Sequence, residues 1–171
     1  MNFVVRFVFV VHCLAMEPLS LTTGWSSAIT DYIRDMEEAE VYIKAGLVEG
    51  RVNGKPALLN PAIKGEEYNC RNWYGDKHPE YRDWCNADLM GEGYPPHDKN
   101  GDPFELHHIG QRPDSPLAEL TGAQHHDNGN FQALHKFDEY STIERDEFDK
   151  ERAAHWMARF QDFKDCYSKM K

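Results

Sequence analysis

Residues 105–108 read Glu-Leu-His-His, and three further histidines, His125, His126 and His135, follow before residue 136. Histidine is the side chain whose ordinary pKa lies nearest neutrality, so a cluster of it serves metal binding, proton transfer or both. If FELHHIG is an extended segment, His107 and His108 point to opposite faces and cannot share one task. One ring can then face a metal while the other faces a water beside a substrate. His125 and His135 are placed to complete a ligand set with His107, with Asn130 nearby as an oxygen donor, leaving one coordination position for a phosphate oxygen or water. The alternative is that these rings are surface or hydrogen-bonded structural groups, and the spacing leaves both readings open. His12, His78, His97 and His155, isolated in the chain, are assigned to the structural class.

The elements that must position this cluster follow from local patterns. FELHHIG and PLAELT (116–121) are two short extended runs separated by the polar loop QRPDS, which reads as a two-stranded ribbon. A helix is expected to begin near Asn130 and to carry FQALHKF. Upstream, YPPHDKNGDPF (94–104) is turn chemistry throughout. Ser141, three residues before Glu144, is a capping-box signature for a last helix whose apolar face is Phe148, Trp156, Phe160, Phe163 and Tyr167. Trp156, Phe148 and Phe160 are expected to pack that helix onto the ribbon. Nearer the start, WSSAITDYIRDMEEAEVYIKA (25–45) spaces Ile29, Tyr32, Ile33, Met36 and Ile43 as one amphipathic helix, capped at Ser26 or Ser27 and ended by Gly46. VNGKPALL (52–59) reads as a turn leading into a short extended piece, and Lys64 to Tyr94 as short helices and loops.

Composition bounds the rest. A chain of 171 residues with 40% apolar and 12% aromatic residues is globular in balance and long enough for a real core. Its formal charge of -10 repels polyanions at long range, so a nucleic-acid partner would need local positive charge or a bound cation. Lys99, Arg112, Lys136 and Arg145 lie close to the histidines in sequence, although Lys136 and Arg145 fit a solvated helix face. The four cysteines, Cys13, Cys70, Cys85 and Cys166, form no CxxC pair and suggest neither a zinc ribbon nor a disulfide framework. Cys70, His78 and Cys85 match no common finger spacing. No run is long and apolar enough to span a bilayer. FVVRFVFVVHCLA (3–15) is read either as a cleaved signal core or as an apolar arm or an extended start, Met16 being an alternative initiator.

The run DPFELHHIGQRPDSPLAELTGAQHHDNGNFQALH resembles the LHH branch of the HNH/endonuclease VII nuclease superfamily, of the kind found as toxin modules in bacterial polymorphic toxins. LHHIGQ, SPLAELT, a histidine four residues beyond that threonine, and then Gly-Asn and Leu-His carry the match. GLVEGRVNGKPALLNPAI, LMGEGYPPHDKNG and STIERDEFDKERAAHWMAR resemble the family's flanks, so the likeness extends over about residues 31 to 163. It implies an α+β fold with a ββα-metal (His-Me finger) core and flanking helices. It implies further that His107 is a metal ligand, His108 the general base, His125 and His135 further ligands or supporting histidines, and Asn130 a positioning or ligating amide.

His126 becomes a phosphate contact in that reading, and Arg112 a substrate or supporting contact. Glu119, on the second strand, either orients a ligand histidine through a hydrogen bond or is an exposed strand residue. Arg152, His155 and Arg159 serve either structural salt bridges or phosphate binding. The expected organisation is an apolar segment over 1–24, a helical and loop-rich N-terminal part over 25–100, and the catalytic core with its C-terminal helix over 101–171. The expected activity is metal-dependent hydrolysis of DNA by a toxin or effector, secreted or delivered into target cells, or else held in a soluble cytoplasmic form, with an immunity protein as partner. The cofactor is a divalent ion, zinc or nickel by ligand type, with magnesium or manganese as alternatives. Two rivals remain: the same site acting on RNA, and a non-catalytic metal-binding module whose acidic surface docks a basic protein.

Overall fold

The computed structural model of the chain describes residues 19–66, 84–135 and 143–167. The apolar stretch 3–15, the pair Cys70 and His78, Lys136 and the Ser141 cap all lie outside those residues. After helical residues 19–23 come two short helices, α1 (Ser27–Thr30) and α2 (Met36–Lys44). The single helix expected over 25–45 is therefore divided. The cause is Asp35, whose backbone is extended (φ -158°, ψ 177°) and whose side chain accepts a hydrogen bond from the Glu38 amide, so that a fresh helix starts there. The break also turns the stripe: α2 buries Glu38, Ala39, Val41 and Tyr42, whereas Met36 (47% exposed) and Ile43 (39%) face outward. Gly46, at φ +67°, follows the end of α2 in the left-handed conformation a helix terminator needs.

Strands β1 (Val48–Val52) and β2 (Lys55–Leu59) form a hairpin across Asn53 and Gly54. Both turn residues have positive φ (51° and 77°), which matches the twist of the flanking strands. Helix α3 (Asn86–Gly91) follows, and the turn 94–104 is closed by the bridge His97↔Pro103 and by Asp98 Oδ1, which accepts from the amides of Asn100 and Asp102. Strands β3 (Phe104–His108) and β4 (Leu117–Thr121) then pair antiparallel, with His107 opposite Ala118 and Leu106 opposite Glu119. They are not an isolated ribbon: β2 pairs parallel with β4, giving a four-stranded sheet in the order β1-β2-β4-β3. The helix expected from Asn130 is α5 (Asn130–Leu134), which ends before His135; a further short helix, α4 (Gly122–His126), precedes it, and the long α6 (Arg145–Tyr167) ends the described chain.

Each face of the sheet carries its own core. Ala118, Leu120 and Leu58 pack with Ile29, Ile33, Tyr42, Ile109 and Leu134 on the side of α1, α2 and α5. Phe104, Leu106 and Leu117 pack with Met90 and Trp156, joined by Phe148, Phe160 and Phe163, on the side of α3 and α6. Helix α6 thus uses the apolar face its periodicity specifies from Phe148 to Phe163; the Tyr167 side chain lies outside the described part. The result is an α+β arrangement consistent with a ββα-metal nuclease fold.

Candidate active site

Alternation along β3 sends Phe104, Leu106 and His108 towards α6 and Glu105 and His107 towards the opposite face. The His107 ring lies 6.5 Å from that of Tyr42, whereas the His108 ring lies 4.6 Å from that of Phe148. Adjacent in sequence, the two imidazoles have different surroundings.

His125 reaches His107 because β4 passes directly into α4. The Thr121 hydroxyl accepts from the Gln124 amide and the Gln124 side chain accepts from the Thr121 amide, a reciprocal cap that starts the helix at the strand end. His125 then falls in the last turn of α4, beside β3. Gly129, at φ +83°, reverses the chain into α5, and Asn130 Nδ2 donates to the Gln124 carbonyl at 2.8 Å, bracing α5 against α4. His135 follows as the C-terminal cap of α5.

The three rings of His107, His125 and His135 form a near-equilateral set, with centroids 5.0 to 5.2 Å apart. Each offers a nitrogen within 4.8 Å of the others. The donor set fits a divalent cation by three observations. The buried Nε2 atoms of His107 and His125 have no hydrogen-bond partner among the described residues. His125 Nδ1 is held by the Glu105 carboxylate and His135 Nδ1 donates to the Phe131 carbonyl at 3.1 Å, the kind of outer contact that orients a ligating imidazole. Burial, reinforced by the neighbouring histidines, holds His107 well below the usual histidine pKa, and burial with the His125 charge lowers His135 in the same direction, so both favour the neutral, ligating form. Three such ligands would leave a fourth position open, as catalytic metal sites do.

His108 sits at the margin of this set with Nε2 2.8 Å from the Glu151 carboxylate of α6, while its buried Nδ1 has no hydrogen-bond partner among the described residues. A cleft of about 870 Å³ runs past His107, His108, His125, His126 and His135, with Arg145 and Arg152 on its α6 side. Glu105 shares its carboxylate between His125 and His126, the latter at 2.9 Å. Burial alone would raise the Glu105 carboxyl, but the hydrogen bond from His125 and the charges of both histidines bring it below the usual range.

Other expected site residues lie elsewhere. Arg112 is absent from the cleft wall; its guanidinium covers the Tyr32 ring at 4.5 Å. Glu119 neither orients a ligand histidine nor is exposed. It is fully buried on the α6 face of the sheet, accepting from the Asn60 amide at 2.8 Å, His155 Nε2 at 2.8 Å and Arg159 Nε at 2.7 Å. His155 and Arg159 are therefore structural ion-pair partners, and Arg152 pairs with Asp149 at 2.5 Å. Sequence reasoning passed over Glu105, Glu151 and Glu38. Glu105 had a signal, since a carboxylate two residues before His107 on a strand shares its face; Glu38 and Glu151 come from distant helices and had none.

Glu38 is fully buried beneath His107. It accepts from the amides of Arg34 (2.8 Å) and Gly110 (2.6 Å) and from the Tyr42 hydroxyl (2.7 Å). Burial raises its carboxyl above the usual value, and those three donors offset that rise only in part.

Comparison with known proteins adds a family likeness. Residues 85–162 match the model described as a nuclease of the HNH/ENDO VII superfamily with conserved LHH. No curated protein and no solved structure matches the chain. The matched segment contains β3, β4, α4, α5 and most of α6, and with them every histidine of the cluster. Over that segment the chain is similar to the LHH branch of the HNH/endonuclease VII nucleases.

Proposed function

We propose that this protein is a metal-dependent endonuclease that hydrolyses DNA phosphodiester bonds. The observation that carries the reading is the convergence of His107, His125 and His135 beside His108 in one cleft. The three imidazoles would hold the cation, and their nitrogen donors suit zinc or nickel, with magnesium or manganese as alternatives. When bound, the cation supplies positive charge to the phosphoryl and leaving oxygens. His108 acts as general base. Donating Nε2–H to Glu151 leaves the lone pair on Nδ1, the nitrogen that takes a proton from the attacking water, and the Glu151 carboxylate stabilises the imidazolium that forms. Arg145 and Arg152 on the cleft wall offer charge to phosphates, against a chain that is otherwise acidic. His126, half-exposed at the cleft, is a further phosphate contact.

In the same reading the catalytic core is 101–171, and 25–100 is its N-terminal part; the parallel pairing of β2 with β4 supports treating the two as one unit. The setting is that of a toxin or effector module neutralised by an immunity protein, which the family likeness supports. The test offers a supercoiled plasmid and a structured RNA side by side to metal-stripped protein, with zinc, nickel, magnesium or manganese added back. Metal-dependent nicking of the plasmid is expected. Cleavage of RNA alone would transfer the site to that substrate, and cleavage of neither with any metal would leave a non-catalytic metal-binding module.

A further inference from the structure

The family-matched segment begins at residue 85, yet a carboxylate from far outside it stands against the first candidate ligand. Glu38 Oε1 lies 4.0 Å from His107 Nε2, a buried nitrogen with no hydrogen-bond partner among the described residues. The Arg34 amide, the Gly110 amide and the Tyr42 hydroxyl all donate to the Glu38 carboxyl, contacts that favour its charged form against the cost of burial. A buried anion this close to an imidazole favours cation binding on that ring.

Glu38 also fixes the backbone that carries His107. Gly110, whose amide it receives, is at φ +69°, and a Cβ there would stand 2.3 Å from the Tyr32 carbonyl oxygen. The end of β3 is thereby pressed onto the α1–α2 turn with no room for a side chain. From the same turn, Arg34 Nη2 donates to the Ala133 carbonyl at 2.5 Å, two residues before His135. One short segment, Arg34 to Tyr42, thus reaches the supports of two of the three histidines.

We propose that Glu38 is a positioning residue for the histidine site, supplying from the N-terminal helices the negative charge and backbone anchor that give His107 its affinity for a divalent cation. This rests on the reading of His107, His125 and His135 as ligands. It assigns the segment before the family match a direct part in the site.

The test measures zinc and nickel binding to the full chain by competition with a chromophoric chelator, for wild type, Glu38→Gln and Glu38→Asp, with far-UV circular dichroism of each metal-free protein. Loss of a supporting contact of this kind weakens metal binding by about 10- to 100-fold, so Glu38→Gln is expected to fall in that range. Glu38→Asp, which keeps the charge, is expected to stay close to wild type even if both variants lose some stability. Wild-type affinity in Glu38→Gln would overturn the role of Glu38 and leave the histidine site standing. Equal weakening in both variants, in step with loss of the metal-free fold, would overturn it by making Glu38 purely structural. A wild type that binds neither ion would overturn the histidine site and the role of Glu38 together.

Discussion

Replacing Glu119 with glutamine tests how α6 is locked to the sheet. The two side chains are nearly the same size, so the change removes charge without opening a cavity. Oε2 of Glu119 receives the Asn60 amide, and Oε1 receives both His155 and Arg159. Whichever way the new amide turns, its NH2 meets a donor: the Asn60 N–H on one side, the Arg159 guanidinium on the other. Arg159 is itself buried and keeps, among the described residues, the half-exposed Asp162 carboxylate and the Phe163 ring at 5.3 Å. Breaking a buried pair by removing one member costs about 3 to 5 kcal/mol, and the surviving Asp162 contact places the expectation at the lower end, about 3 kcal/mol. Urea unfolding followed by circular dichroism and by tryptophan fluorescence, which Trp156 beside His155 should report, measures it. The double variant Glu119→Leu with Arg159→Met should be more stable than Glu119→Gln, since it leaves no orphaned charge. A loss below about 1 kcal/mol for Glu119→Gln would refute the argument, since that is the range of an exposed pair. The acid side carries a matching sign. Burial pushes the Glu119 carboxyl up, but the His155 hydrogen bond and the Arg159 charge outweigh it and hold the group below its usual value. Its contribution is therefore present above the unfolded carboxylate pKa and is lost as pH falls through the lower folded one.

Three further outcomes follow from particular residues. His97 is fully buried, and burial lowers its pKa to about 4, so the unfolded chain takes up its proton first as pH falls. Stability should decline between about pH 6.5 and 4 by up to about 3 kcal/mol from this group, and His97→Gln should flatten that part of the profile. Gly110→Ala, at positive φ and against the Tyr32 carbonyl, should cost at least about 1–2 kcal/mol in a thermal or urea melt; an unchanged melt would mean that the end of β3 is not held as described. Chelation of the bound cation should lower the melting temperature of wild type and leave that of His125→Ala unmoved, as read by differential scanning calorimetry.

What could be read in the sequence was what local periodicity encodes. Strand alternation separated His107 from His108, and helical spacing gave the buried face of α6, because both depend only on near neighbours. The break at Asp35 was hidden because an aspartate inside a helical pattern resembles a solvent-facing residue until its cap hydrogen bond to Glu38 is seen. Strand β1 was missed for a related reason: Val-Glu-Gly-Arg-Val at a sheet edge is mostly open to water and shows little hydrophobic alternation. The parallel pairing of β2 with β4 joins Ala57 to Leu117 and leaves no mark in either segment. The same holds for the carboxylates: Glu38 meets Gly110 across 72 positions and Glu151 meets His108 across 43, distances at which only the packed fold brings charges together. Glu119 was misplaced because a single glutamate on a strand gives no sign of a buried arginine on a helix 40 positions away.

The most direct measurement compares His108→Ala with His135→Ala in two assays on the same preparations, plasmid nicking with metal added back and direct metal binding. Both variants should lose nicking, but only His135→Ala should lose the metal, because His108 faces Glu151 and α6 whereas His135 faces His107 and His125. A His108→Ala protein that nicks as well as wild type, or a His135→Ala protein that binds metal with undiminished affinity, would contradict the division of labour on which the account stands.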